Sequence, residues 1–381
     1  MKNMFDVIVI GVGSMGSSTL SALAKRGANV LGIEQFGLSH EKGSHSGQTR
    51  IVRKAYFEHE NYVPLLKSAY KGWDEIAEEV EKKLFHEVGL EYYGEREHEV
   101  IDGVVNSANK YSIPIDLQSS NSCHPNFKLP KEFVSLTEPE AGFVMADETI
   151  KAYGEVAKKH GAILKTNEKV LNWEVKNERV EVRTNENIYY AEKLIITAGA
   201  YIKELIPQHS EVLKVTRQLL AWIKPKDPTQ FKLGNFPCWV IADKGFPGIF
   251  YGFPILPLDK FGGTGLLKVA HHYHGEEIDT PMLFGFSEKD EVEKLTSIIN
   301  TYIPEALGEM ISVTPCMYTC TQDDHFVIDH LPEYDQRVTI STGFSGHGFK
   351  FVSVVGEILS DLALEGETDH PIDFLNMNRF A

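Results

Sequence analysis

Cysteine is scarce in this 381-residue chain: Cys123, Cys238, Cys316 and Cys320 are too few and too scattered for a disulfide framework, which fits a reducing compartment. No apolar run reaches the roughly 20 residues that a membrane-spanning helix needs. The first strand begins within a few residues of Met1, which leaves no room for a signal peptide. These absences predict a cytoplasmic protein with no membrane partner. Basic residues are in deficit, 38 Lys and Arg against 54 Asp and Glu, and the formal net charge of -16 disfavours nucleic acid and anionic lipid as partners. Metal-ligand spacing is lacking too. Cys316 and Cys320 form a CxxxC without a second pair nearby, and His271, His272 and His274 have no carboxylate or cysteine at regular spacing, so no metal site is predicted. Repeats, low-complexity tracts and flexible linkers are absent. A chain this long exceeds one typical hydrophobic core, so the missing linker predicts a second domain inserted into the first. Nothing marks a large exposed apolar face, which makes a monomer the default.

What is present begins at Asp6 to Glu34, DVIVIGVGSMGSSTLSALAKRGANVLGIE. An apolar strand, Val7 to Ile10, runs into Gly11, Val12, Gly13, Ser14, Met15 and Gly16, then a helix, then a second strand, Val30 to Ile33, that stops at Glu34. This is the spacing of a dinucleotide-binding βαβ unit. Gly11 permits the tight turn, Gly13 lets the backbone approach a pyrophosphate, and Gly16 lets helix and strand pack closely. The helix N-terminus offers free N–H groups to the phosphates, and Glu34 would accept from a ribose hydroxyl.

The polar run Gly43 to Arg50, GSHSGQTR, reads as a loop that cannot be core. Apolar residues at helical spacing predict a core-facing helix over 61–83, with Val63, Leu66, Ala69, Trp73 and Ile76 on one face. Helices are also expected near 101–111 and 148–160. Strands are expected at 169–175, 180–184, 189–190 and 193–200, the last a buried strand ending in small residues that would let a ligand approach. Residues 217 to 315 read as mainly antiparallel sheet. A strand at 337–342, a glycine loop at 343–350 and an amphipathic helix at 351–363 return to the first pattern.

Four segments carry a resemblance: GVGSMG with Glu34, GSHSGQTRIVRKAY (Gly43 to Tyr56), TPCMYTCTQDDHFVID (Thr314 to Asp329) and GFSGHGFKF (Gly343 to Phe351). With them the chain resembles, nearly end to end, the amine-oxidising flavoprotein family of monomeric sarcosine oxidase and N-methyltryptophan oxidase, within the D-amino-acid-oxidase-like fold. The resemblance implies FAD rather than NAD, and an α/β FAD-binding Rossmann-like domain (1–88, 147–217 and 318–381) with an inserted, mainly antiparallel α+β substrate domain (89–146 and 218–317).

It also implies roles. FAD would be tethered covalently to Cys316, and Cys320 is read as structural. Ser44, Thr49, Arg50, Gly346, Gly348 and Lys350 fall on the cofactor's surroundings. Arg53 and Lys350 match the pair that binds the amino-acid carboxylate, a charge that needs charge-assisted donors beside a flavin. Tyr251 and His272 match the amine pocket, with Tyr318 nearby. Arg50 and Lys268 match cations on the two faces of the flavin, Lys268 at the oxygen-activating position. Departures are Ser46, where the family commonly has His, Gln48, where it has Asp, and extra length at Ile255 to Lys260. The implied activity is oxidative demethylation of N-methyl amino acids by oxygen, giving the primary amino acid, formaldehyde and hydrogen peroxide. Sarcosine is the simplest substrate; N-methyl-L-tryptophan or another secondary or cyclic amino acid is the alternative. A flavin amine dehydrogenase using another acceptor is a second class, against which Lys268 argues. A non-catalytic nucleotide-binding module would leave Arg53, Lys268 and Lys350 unexplained.

Overall fold

Val7, Ile8 and Val9 are completely buried, and the strand that holds them, Met4–Ile10, lies inside an eight-stranded sheet. Such an uninterrupted apolar run is what a parallel strand covered on both faces requires. The computed structural model describes residues 4–278 and 289–380. Strands Val30–Glu34 and Ile188–Ile196 flank Met4–Ile10, both parallel to it, and Ile163–Thr166 and Val338–Thr342 extend the parallel set. Strands Val170–Lys176 and Arg179–Thr184 add an antiparallel edge.

Helix Ser14–Lys25 packs on helices Ala146–Lys159 and Val352–Leu364. The second of these contacts needs Gly356, where a Cβ would stand 2.7 Å from the Ser18 carbonyl carbon. The helix expected at 351–363 is amphipathic in place: Val354, Val355, Ile358, Leu359 and Leu362 are buried beneath helices Ser14–Lys25 and Tyr62–Glu79, while Glu357 is exposed and Ser353 and Asp361 on the same face are half-buried.

In a second sheet of nine strands, Leu213–Lys224 and Glu309–Thr321 pair antiparallel along nearly their whole lengths. The expected domain boundaries at 217/218 and 317/318 fall inside these two strands. Leu267–His272, Ile249–Phe253 and Cys238–Ala242 follow antiparallel, and Cys238–Ala242 runs parallel to Leu90–Glu95. The region read as antiparallel sheet also contains a helix, Lys289–Tyr302, whose short stripe of Leu295, Ile298 and Ile299 was overlooked among strands. Residues 279–288 of that region lie outside the described residues.

A small antiparallel sheet joins Thr49–Val52 and Phe85–Glu87 to Gly142–Met145. It corrects the reading of 43–50 as a loop outside the core. Thr49 and Arg50 open a strand, and His45, Ser46 and Thr49 are buried. Polarity misled there, because pairing with Gly142–Met145 satisfies the strand backbone and the buried side chains gather around the clefts described below. Among the described residues no helix is long and apolar enough to cross a membrane.

Candidate active site

Two clefts meet in this architecture. The larger, about 1220 Å³, is lined by Gly11, Gly13, Ser14, Met15 and Glu34 of the first βαβ unit, by Ser44 and Arg50, and by Gly346 and Gly348 of the last glycine loop. Gly11 adopts a φ of 85°, and a Cβ there would sit 2.8 Å from Ala198 Cα, so the Gly11 backbone itself packs closely on the residues that follow the Ile188–Ile196 strand. Gly16 lies beneath the cleft rather than on its wall. A Cβ on it would fall 1.9 Å from the Gly11 carbonyl oxygen. Glu34 is pinned as an acceptor: its Oε2 takes the Val12 N–H and its Oε1 the Phe36 N–H, each at 2.9 Å.

Arg50 staples the 44–49 segment by donating to the carbonyls of Ser44 (2.9 Å), Ser46 (2.6 Å) and Thr49 (2.8 Å). Cys316 is buried and lines neither cleft. Its Sγ lies 3.7 Å from the Ser44 carbonyl and 3.9 Å from Arg50 Nη2, both belonging to wall residues. Lys268 is likewise behind the wall, its Nζ donating to the carbonyls of Gly47 (2.6 Å) and Thr49 (2.9 Å) and to Thr49 Oγ1 (3.3 Å). Burial pushes this lysine well below its ordinary range, and the Arg50 charge adds to the effect.

The smaller cleft, about 530 Å³, is lined by Arg53, Glu58, Tyr251, His272, Tyr318 and Lys350 among others. It shares Arg50, Tyr318, Gly346 and Phe349 with the larger one, so the two are continuous across these residues. Arg53 Nη2 donates to both oxygens of Glu58 at 2.6 Å, Nη1 donates to the Ala55 carbonyl at 3.0 Å, and the guanidinium lies over the rings of Tyr56 and Phe57. Burial alone would raise the Glu58 carboxyl, but Arg53, His347 and Lys350 outweigh it and hold it at about 2. Lys350 Nζ donates to the His347 carbonyl at 2.6 Å; burial first and the Arg53 charge second bring it down to about 7. Desolvation lowers His272 to about 4, so its ring is neutral at pH 7, with Nδ1 3.2 Å from the Tyr318 hydroxyl. Burial keeps Tyr251 and Tyr318 protonated.

Of the residues singled out as site residues, Gly11, Gly13, Ser14, Met15, Glu34, Ser44, Arg50, Arg53, Tyr251, His272, Tyr318, Gly346, Gly348 and Lys350 line the two joined clefts, and Gly16, Thr49, Lys268 and Cys316 line neither. Three further residues were missed. Glu58, an acid five positions after Arg53, left a faint signal. His347 accepts from the Tyr56 hydroxyl at Nδ1 and donates from Nε2 to the Asp324 carbonyl at 3.0 Å. Glu138 left no signal: it is wholly buried and accepts from the N–H groups of Lys54 (2.6 Å) and Ala55 (3.1 Å) and from the Tyr92 hydroxyl (3.0 Å), fixing the backbone next to Arg53. Of the departures, Gln48 holds a left-handed φ of 67° and donates to the Gly262 carbonyl at 3.2 Å. The extra length forms the short helix Leu258–Phe261, whose Phe261 packs on Phe143 and His86.

The larger cleft also carries buried polar atoms with no partner: His45 Nε2, Thr319 Oγ1, Ser341 Oγ and Thr342 Oγ1. Buried groups of this kind are costly unless something hydrogen-bonds to them. Together with the glycine cradle they fit a bound dinucleotide.

The profile of the FAD dependent oxidoreductases matches residues 6–362. A monomeric sarcosine oxidase of Bacillus sp. (strain B-0618) is 36% identical over 100% of this chain and 97% of its own. An N-methyl-L-tryptophan oxidase of Yersinia pestis (strain Pestoides F) is 31% identical over 99% of each. Among solved structures, the open form of NikD, an unusual amino acid oxidase essential for nikkomycin biosynthesis, superposes with a TM-score of 0.85 at 22% identity, covering 98% of each chain. L-proline dehydrogenase from P. horikoshii superposes at 0.83 with 21% identity, over 100% of this chain and 98% of its own. At such identities these structures speak for the fold alone.

Proposed function

The chain belongs to the family of FAD dependent oxidoreductases, and on that premise we propose that it oxidises N-methyl amino acids with oxygen, sarcosine being the simplest substrate. The net reaction takes one amine, one oxygen and one water to the primary amino acid, formaldehyde and hydrogen peroxide. The observation that carries the reading is the pair Arg53 and Lys350, two buried cations beside a neutral imidazole, in a pocket continuous with the dinucleotide cleft. FAD supplies the two-electron acceptor and passes the pair to oxygen.

The protein's own groups set up the rest. Guanidinium has five N–H donors, and three of those on Arg53 are taken by Glu58 and Ala55, which leaves two for a substrate carboxylate. Lys350 adds a point charge. Arg53 is ion-paired with the Glu58 carboxylate, so the Lys350 charge and the desolvation of the pocket are what disfavour a protonated substrate amine. Neutral His272 accepts from that amine or orients it through Tyr318. Lys268 Nζ is held by the carbonyls of Gly47 and Thr49, where its protonated form would favour oxygen reduction. Cys316 is the covalent attachment point in this reading, supported by the Cys-Met-Tyr-Thr segment and by its place against Ser44 and Arg50. The sheet of Met4–Ile10 holds the cofactor and that of Leu213–Lys224 the substrate. Four free cysteines accord with a cytoplasmic setting, and the few exposed large apolar side chains accord with a monomer.

The test is a panel of sarcosine, N-methyl-L-tryptophan and L-proline, read by peroxide and formaldehyde release. Matching yields of both products from an N-methyl amino acid are expected. Reduction of a dye without peroxide would move the enzyme to the dehydrogenases, and no turnover of any secondary amine would overturn the reading.

A further inference from the structure

The His271–His274 segment has no carboxylate or cysteine at ligand spacing in the sequence, yet the fold brings it one of each. His274 Nε2 lies 3.0 Å from Asp324 Oδ2. With Cys320 Sγ, these ligand atoms all fall within 4.8 Å of one another, the sole such cluster among the described residues. None of the three residues lines the smaller cleft, but each neighbours a residue that does. Cys320 shares one face of strand Glu309–Thr321 with Cys316 and Tyr318, His274 lies two residues beyond His272, and the Asp324 carbonyl accepts from His347.

One observation lifts it above a surface ion pair over a core thiol. The Asp324 side chain keeps 48% of its surface exposed, yet its Oδ1 is buried without a hydrogen-bond partner, an oxygen that a bound cation would satisfy. The His274 side chain keeps 66% of its surface exposed, so an ion can enter from solvent.

We propose that Cys320, His274 and Asp324 form a binding site for a borderline-soft divalent cation of the Zn²⁺ type, beside the amine pocket. Thiolate, imidazole and carboxylate are the donors such an ion takes, and three protein ligands leave a fourth position for water. Binding replaces the Cys320 S–H bond by a metal–sulfur bond, the proton passes to solvent, and no redox change occurs. Occupancy would tie residues 272–274 to the turn that fixes His347 and so narrow the substrate's way in.

The experiment is equilibrium dialysis of the holoenzyme against Zn²⁺ after chelation, with metal content read by atomic emission. This does not depend on turnover and so stands apart from the amine-oxidase reading. Wild type should retain one Zn²⁺ per chain more than His274→Ala and Cys320→Ser, with affinity weakened by roughly tenfold or more in each. His274 is exposed, so its alanine variant keeps the fold. Equal zinc in wild type and His274→Ala overturns the site. Finally, Zn²⁺ should raise the amine KM in wild type but not in His274→Ala; a bound equivalent that leaves KM unchanged overturns the link to the pocket.

Discussion

The two clefts are built by opposite means. The larger is a backbone structure: glycine turns at 11–16 and 343–348 bring main-chain atoms to the surface, and a single added carbon at Gly16 would collide with the Gly11 carbonyl. The smaller is a side-chain structure in which Arg53, Glu58, His272 and Lys350 bring buried charge and its compensation from distant parts of the chain. The first is limited by shape, the second by charge balance. A substitution of one methyl group should therefore destroy one cleft, whereas only loss of a charge should disable the other.

Gly16→Ala gives the largest effect. The Cβ cannot be accommodated at 1.9 Å from Gly11 oxygen, so the protein should purify without flavin colour or fail to fold; an unchanged ratio of flavin to protein absorbance would dissolve the contrast. Cys316→Ala sharpens it. Acid-precipitated wild type should keep its yellow colour in the pellet, and the variant should release it to the supernatant while still binding FAD.

Arg53→Met should leave flavin binding intact and strand the Glu58 carboxylate. Truncating one partner of a buried charge pair costs roughly 2–5 kcal/mol, and the loss should appear in kcat/KM for the amine. Retained kcat/KM would show that the pocket is not charge-limited. A smaller, pH-dependent effect should come from Lys350. Because it is lowered to about 7, it carries its proton below that pH and loses it above. Inhibition by acetate, which does not titrate between roughly pH 6 and 9, should thus weaken as pH rises through 7, and Lys350→Met should lack the step. Smallest should be Glu138→Gln, which disturbs the acceptor for Lys54 and Ala55 at the cost of an unsatisfied buried group, about 1–3 kcal/mol of stability, without loss of flavin. Denaturant unfolding would measure it.

The contrast also explains what could be read in advance. The βαβ unit was legible because its signal is local: Gly11, Gly13 and Gly16 fall within six residues where a strand passes into a helix and Glu34 ends the next strand, even though Gly11 packs on Ala198 in space. Helices such as Tyr62–Glu79 announced themselves by periodicity, whereas 189–190 and 193–200, expected as two strands, form the single strand Ile188–Ile196 with a 3₁₀ turn from Gly199. Residues 43–48 form the loop expected, but the burial of His45 and Ser46 and the pairing of Thr49 and Arg50 with Gly142–Met145, nearly a hundred residues distant, are tertiary and left no local signal. Arg53, Lys350 and His272 were found through the resemblance and not through any pattern of their own. Glu138 escaped altogether, since nothing near it in the chain tells that its carboxylate will meet the Lys54 and Ala55 N–H groups.

The sequence by itself determined the dinucleotide unit and the family, which rest on closely spaced residues or on long shared motifs. Only the tertiary structure decided which charges are buried together, how far burial displaces their protons, and that Cys320 and Asp324 meet His274. Desolvation and pairing depend on what surrounds a group in space, and that is fixed only when the two sheets close on each other.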